Sequence, residues 1–231
     1  MSFFDSFPQP PPPPEPVRLP RPAWMQPDAV IPGSVPAELM LIRTEQVAVA
    51  VGGVRAYPNG LEFTLHVRMQ GRDETEPGLH DPLDRHRQRG QTSDEVLRLG
   101  LMFADGRRTA TTARYSQPDE ADPERLILRQ GSSSGNARRW DGEFWMHPLP
   151  PRGPVTFVAS WPRYGVSETR AELDGTAIRE AAQRAVILWP EEPETVPGDA
   201  CAWRTQEVTS TASSARAEPD QPGAEDADAA P

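Results

Sequence analysis

Four histidines and one cysteine hold most of the capacity of this chain for acid–base, nucleophilic or metal chemistry. His80, Asp81, Asp84 and His86 fall within seven residues and supply nitrogen and oxygen donors suited to a divalent cation. A metal site also needs contacts that hold its ligands rigid. Residues 71–93 instead carry five acids and four arginines with almost no apolar side chains, so a flexible solvated loop and no metal are expected. His66 alternates onto the polar face of a strand, and His147 stands before a proline corner, Pro148 to Pro151. Neither lies in a recognised nucleophile motif: G-x-S-x-G, H-E-x-x-H and a phosphate-binding glycine loop are all missing from the chain. Gly131 to Gly135, with three serines between, lacks the lysine of such a loop and reads as a flexible hairpin connection. No catalytic residue and no cofactor are expected, and the chain reads as a non-enzyme. An enzyme site assembled from distant residues around His66 or His147 is the third alternative.

The tryptophans carry the sharper alternative. Four of six lie between Trp140 and Trp189. Solvent-facing indoles on a sheet make stacking platforms for small ligands or sugars, whereas inward ones fill the core. Trp140 and Trp145 are five apart, so on a regular strand they point to opposite faces and one should be outside or at a bulge. Together with His147 they form the candidate ligand-binding set. Phe157 and Trp161 share a face with Val155 and belong to the core, and Val186 to Trp189 reads as a closing strand or a plug, with Trp189 as the plug.

The elements that would position these side chains are strands. From Gln46 to Val51 the residues alternate with period two, and Gly52-Gly53 then predict a bulge. Tyr57-Pro58-Asn59-Gly60 is a hairpin turn. Leu61, Phe63, Leu65, Val67 and Met69 follow on one face, with Glu62, Thr64, His66 and Arg68 on the other. Further strands are expected over 96–103, 107–115, 125–130, 138–147, 155–161 and 167–173. One helix is expected over 176–185, capped by Thr176. The count predicts a mainly β fold, an antiparallel, immunoglobulin-like β-sandwich with one short C-terminal helix and disordered termini.

The run W-D-G-E-F-W-M-H-P-L-P-P-R-G-P from Trp140, followed by S-W-P-R-Y-G-V-S-E-T-R-A-E-L-D, resembles uncharacterised hypothetical proteins of high-GC bacteria. The resemblance implies one compact β-rich domain and carries over no catalytic residues.

Charge and composition set the organisation. Residues 1–37 form a proline-rich arm, 38–190 the folded domain and 191–231 an acidic tail; both ends are expected to be disordered. The net charge of −10 divides as −1, −1 and −8 over these segments, so the body lacks the basic surplus of a nucleic-acid binder. All 24 basic residues are arginine, which fits a GC-rich genome. The single Cys201 excludes an intramolecular disulfide. No signal peptide or membrane-length apolar run is present, so a cytoplasmic protein is expected. The reading that follows is a non-catalytic binding or protein-interaction module with a protein partner and no nucleic acid or membrane. The alternative is a small-ligand or carbohydrate-binding sandwich using an exposed tryptophan.

Overall fold

Strand follows strand in the computed structural model, which describes residues 17–19, 21–71, 82–83, 96–111, 122 and 124–196. In chain order these are β1 (Val17–Leu19), β2 (Val30–Ile31), β3 (Gly33–Ser34), β4 (Leu39–Arg43), β5 (Val47–Tyr57), β6 (Gly60–Met69) and β7 (Arg98–Met102). Then come β8 (Arg108–Ala110), β9 (Ile127–Gly135), β10 (Arg139–His147), β11 (Pro154–Trp161) and β12 (Val166–Asp174). Helix α1 (Gly175–Gln183), β13 (Val186–Ile187) and β14 (Glu194–Val196) complete the series.

The chain divides into two compact units. One comprises residues 1–21 and 192–231; its described part is an antiparallel ladder in which Val17 faces Val196 and Leu19 faces Glu194. The other runs from Pro22 to Glu191. It therefore takes in residues 22–37, which proline content alone assigned to the arm. Those residues contribute β2 and β3.

Within the larger unit, six strands form one antiparallel sheet in the order β3-β5-β6-β10-β9, with β4 also on β5. Four form a second, β12-β11-β7-β8. The mainly β, antiparallel character expected from the alternation is present. β6 buries Leu61, Phe63, Leu65 and Val67 completely, and β11 buries Val155 and Phe157. One apolar cluster takes in these residues, Leu99 and Leu101 of β7, and Ile178 and Ala181 of α1. Burial of this many large side chains is the dominant favourable contribution to folding.

The expected bulge is found where β5 and β6 slip register between Gly52 and Arg55. Gly53 sits there at φ 59°, a left-handed conformation that a residue without Cβ adopts at little cost.

Several local readings need correction. α1 begins at Gly175, and its cap is Asp174, whose carboxylate accepts a 2.8 Å hydrogen bond from the Thr176 N–H. Thr176 is inside the helix. Gly131 to Gly135 is no free hairpin loop but the second half of β9, with Gly135 facing Trp140. Serines and glycines have low strand propensity, and pairing with an aromatic neighbour strand overrides it. In the charged segment, Leu83 is buried at 2% exposure, and the Leu97 N–H donates to the Pro82 carbonyl at 3.0 Å. His80, Asp81, Asp84 and His86 lie outside the described residues.

Candidate functional site

Parity along β10 places Trp140 and Trp145 on opposite faces, as expected, yet both rings are buried, at 2% and 6% exposure. Neither ring reaches the surface, and of the two outcomes expected the bulge is the one present: the register of β10 against β9 shifts between Gly142 and Phe144. Trp140 lies in the main core. A Cβ on Gly142 would come within 2.1 Å of its ring, so the indole lies against the glycine two residues along its own strand. Trp145 turns outward into a second apolar cluster with Tyr57 and Ile127, onto which Trp24 and Val30 pack. Its ring meets Tyr57 edge-on at 5.4 Å, and its Nε1–H donates to the Trp24 carbonyl at 2.9 Å.

The cover over Trp145 is the segment before β2. Asn59 Nδ2 holds it with bonds to the carbonyls of Ala23 (2.8 Å) and Met25 (2.7 Å). Proline content hid this segment from sequence reasoning. Trp24, a ring too large to leave in water without cost, was the available signal. His147 is buried too, its Nδ1 lying 2.8 Å from the Asn59 carbonyl oxygen. Of the candidate ligand-binding set, Trp145 and His147 thus converge on the hairpin turn Tyr57–Gly60, while Trp140 is on the far side of the sheet.

Two polar clusters occupy the same outward face of β6. The first surrounds Glu62, buried despite its charge. Gln26 Nε2 donates to its carboxylate at 2.7 Å, the Tyr57 hydroxyl donates at 3.0 Å, and Arg55 pairs with its other oxygen. These partners replace the water that a buried carboxylate loses. Burial pushes the Tyr57 phenol above its ordinary value of 10.0; a hydrogen bond with Gln26 opposes the shift, and the Glu62 charge adds to it.

The second cluster is His66, Asp141 and Arg68. Strand pairing sets His66 opposite Asp141, so the ring Nδ1 lies 2.6 Å from a carboxylate oxygen to which Arg68 donates at 2.8 Å. Burial works against ionisation of Asp141, but the bonds from Arg68 and His66 outweigh it and hold the carboxyl below its ordinary 3.8. A Cβ on Gly52 would lie 3.3 Å from His66 Nε2, so the second ring nitrogen points towards the bulge. An imidazole oriented by a carboxylate can serve as a base. Among the described residues, no hydroxyl or thiol hydrogen-bonds to Nε2, and no three His, Cys, Asp or Glu side chains group as metal ligands. This pair required residues 75 apart in sequence to meet and had no local signature.

The remaining feature is apolar. β13 pairs with β2, Val186 facing Ile31 and Ile187 facing Val30. On this ribbon Ile31, Val186, Ile187, Leu188 and Trp189 are between 43% and 65% exposed. Trp189 is therefore no plug. The helix that precedes it ends by binding β3 through Arg184, whose Nη2 donates to the Ser34 carbonyl at 2.9 Å. The chain then passes along β2 at the surface and does not enter the core.

No family model, curated protein or solved structure matches this chain. Among the described residues, no helix is long and apolar enough to cross a membrane.

Proposed function

We propose that this chain is a non-catalytic protein-interaction module, a cytoplasmic β-sandwich of immunoglobulin-like kind that presents the ribbon Ile31/Val186–Trp189 to a protein partner. The observation that carries the reading is the exposure of five large apolar side chains, four in the run Val186–Trp189 and Ile31 on the paired strand β2. Isolated exposed apolar residues are ordinary, but a contiguous patch marks a contact surface. The sandwich reading rests on two antiparallel sheets supplying one apolar cluster. The non-catalytic reading rests on the His66–Asp141 pair, to which no hydroxyl or thiol hydrogen-bonds at Nε2 among the described residues. A nearly neutral body supports a protein partner over nucleic acid.

The test compares capture of cellular partners by the full chain and by a double variant, Ile187→Ser with Trp189→Ser. A partner held by the wild type and lost by the variant is expected. Equal retention by both would remove the ribbon from the function.

Trp189 supports the small-ligand or carbohydrate reading in a revised place. At 60% exposure its indole can stack on a ring, which the buried Trp140 and Trp145 cannot. Quenching of Trp189 fluorescence by a sugar panel would favour this alternative, and a flat titration would dismiss it.

A further inference from the structure

The backbone of the ribbon is directional. Leu188 donates its N–H to the Ala29 carbonyl at 2.8 Å, and Val186 and Ile187 face Ile31 and Val30. In an antiparallel pair, alternate residues send both backbone groups to the same side. Val186 and Leu188 therefore address β2, while Ile187 presents its N–H and C=O to the opposite side, where no described strand pairs. Pro190 follows the parity of Leu188, so the donor that proline lacks is missing on the β2 side and not on the open one. Edge strands are ordinarily guarded by charge, proline or a bulge. Val186-Ile187-Leu188-Trp189 has none of these on its open side.

We propose that β13 pairs antiparallel with β13 of a second copy of this chain, with Ile187 opposite Ile187 of that copy. The inference rests on the ribbon being the contact surface and names its occupant. Open-side residues of two identical strands meet only when the paired numbers sum to an even value, which places a two-fold axis on a residue pair. Ile187 is the open-side residue of β13. The pairing forms two reciprocal N–H to C=O bonds and sets Val186 against Leu188 of the second copy, apolar against apolar. The four exposed side chains of Val186 to Trp189 offer at most on the order of 400 Å² per copy. Two copies reach about 800 Å², within the small range of weak and transient contacts, so a weak and reversible dimer is the expected product.

Two measurements on the full chain test this. Light scattering should give a mass that rises towards twice that of one chain as concentration reaches the order of 100 µM. Ile187→Asp should hold it at a single chain, with a melting curve unchanged at low micromolar concentration where both are single chains. In a Cys201→Ser background, Ile187→Cys should form a covalent dimer under mild oxidation. Hydrogen-bonded antiparallel partners have Cα atoms about 5.5 Å apart, within disulfide reach. Met40→Cys, exposed at 54% but on β4, should stay uncrosslinked. A wild type that remains a single chain, or a dimer that survives Ile187→Asp, would overturn the proposal. A single-chain wild type that still loses its partner on Ile187→Ser with Trp189→Ser would leave the interaction reading standing and remove only self-pairing.

Discussion

Phe63 on β6 and Phe157 on β11 meet edge to face, their ring centroids 5.2 Å apart and their planes at 86°. The contact joins the six-stranded sheet to the four-stranded one, and both rings are fully buried. Phe63 also stacks on Phe144 of the neighbouring strand at 5.3 Å. One phenylalanine thus links two strands of its own sheet to the second sheet. Edge-to-face pairs add about 0.5–1.5 kcal/mol beyond the area they bury.

Phe157→Ala should destabilise the body by about 3–5 kcal/mol, since it removes the transfer energy of a buried ring and leaves a cavity against Phe63. Denaturant unfolding measures this as a lower midpoint. A loss below about 1 kcal/mol would mean the two sheets do not depend on this contact.

Gly142→Ala is expected to cost about 1–3 kcal/mol, although alanine is a small residue. The added methyl would lie 2.1 Å from the Trp140 ring, which is itself buried on all sides. Trp140 would have to shift, and near-ultraviolet circular dichroism would register the altered indole environment.

Asp141 has a lowered pKa in the fold, so its contribution is present above the unfolded carboxylate range and disappears as pH falls through its folded value. Asp141→Asn should therefore lower the melting temperature at neutral pH. The gap from wild type should begin to close as pH falls below the ordinary carboxylate value of 3.8 and vanish only below the lower folded value. The partly exposed pair with Arg68 is worth about 0.5–1 kcal/mol. A gap that widens in acid would refute the assignment.

Tyr57 has a raised pKa, so its neutral form is favoured in the fold. The associated stability is complete below pH 10 and is lost as pH rises towards the folded value. Phenolate absorbance should show one tyrosine titrating late and coincident with alkaline unfolding. Glu62→Gln should bring that titration down, because the negative charge beside the phenol is gone.

Ribbon residues should behave unlike those of the core. Trp189→Ser should change stability by no more than about 0.5 kcal/mol, the range for surface positions. Iodide should quench a fluorescence component that this substitution removes. A large loss of stability would show that Trp189 packs in solution.

Alternation made much of the sheet legible. Leu61 to Met69 place one row inward because side chains of a strand alternate strictly, and the Tyr57–Gly60 turn and the Gly52-Gly53 bulge follow from local backbone chemistry. Parity likewise separates Trp140 from Trp145. Burial does not follow from parity. Whether an outward indole meets water depends on what lies over it, and Trp24 comes from a proline-rich stretch 121 residues away.

The candidate site was less legible for the same reason. His66, Asp141 and Arg68 are unremarkable polar residues of two strands until those strands pair in register, and Glu62 is an ordinary outward glutamate until Gln26 and Tyr57 close over it. The apolar run after the helix reads as core by composition, yet it lies at the surface. Local periodicity is written in the chain because it depends on the neighbours of each residue along the backbone. Which face is covered, which carboxylate meets which imidazole, and which apolar segment remains outside depend on contacts between distant segments, and these exist only once the sheets have assembled.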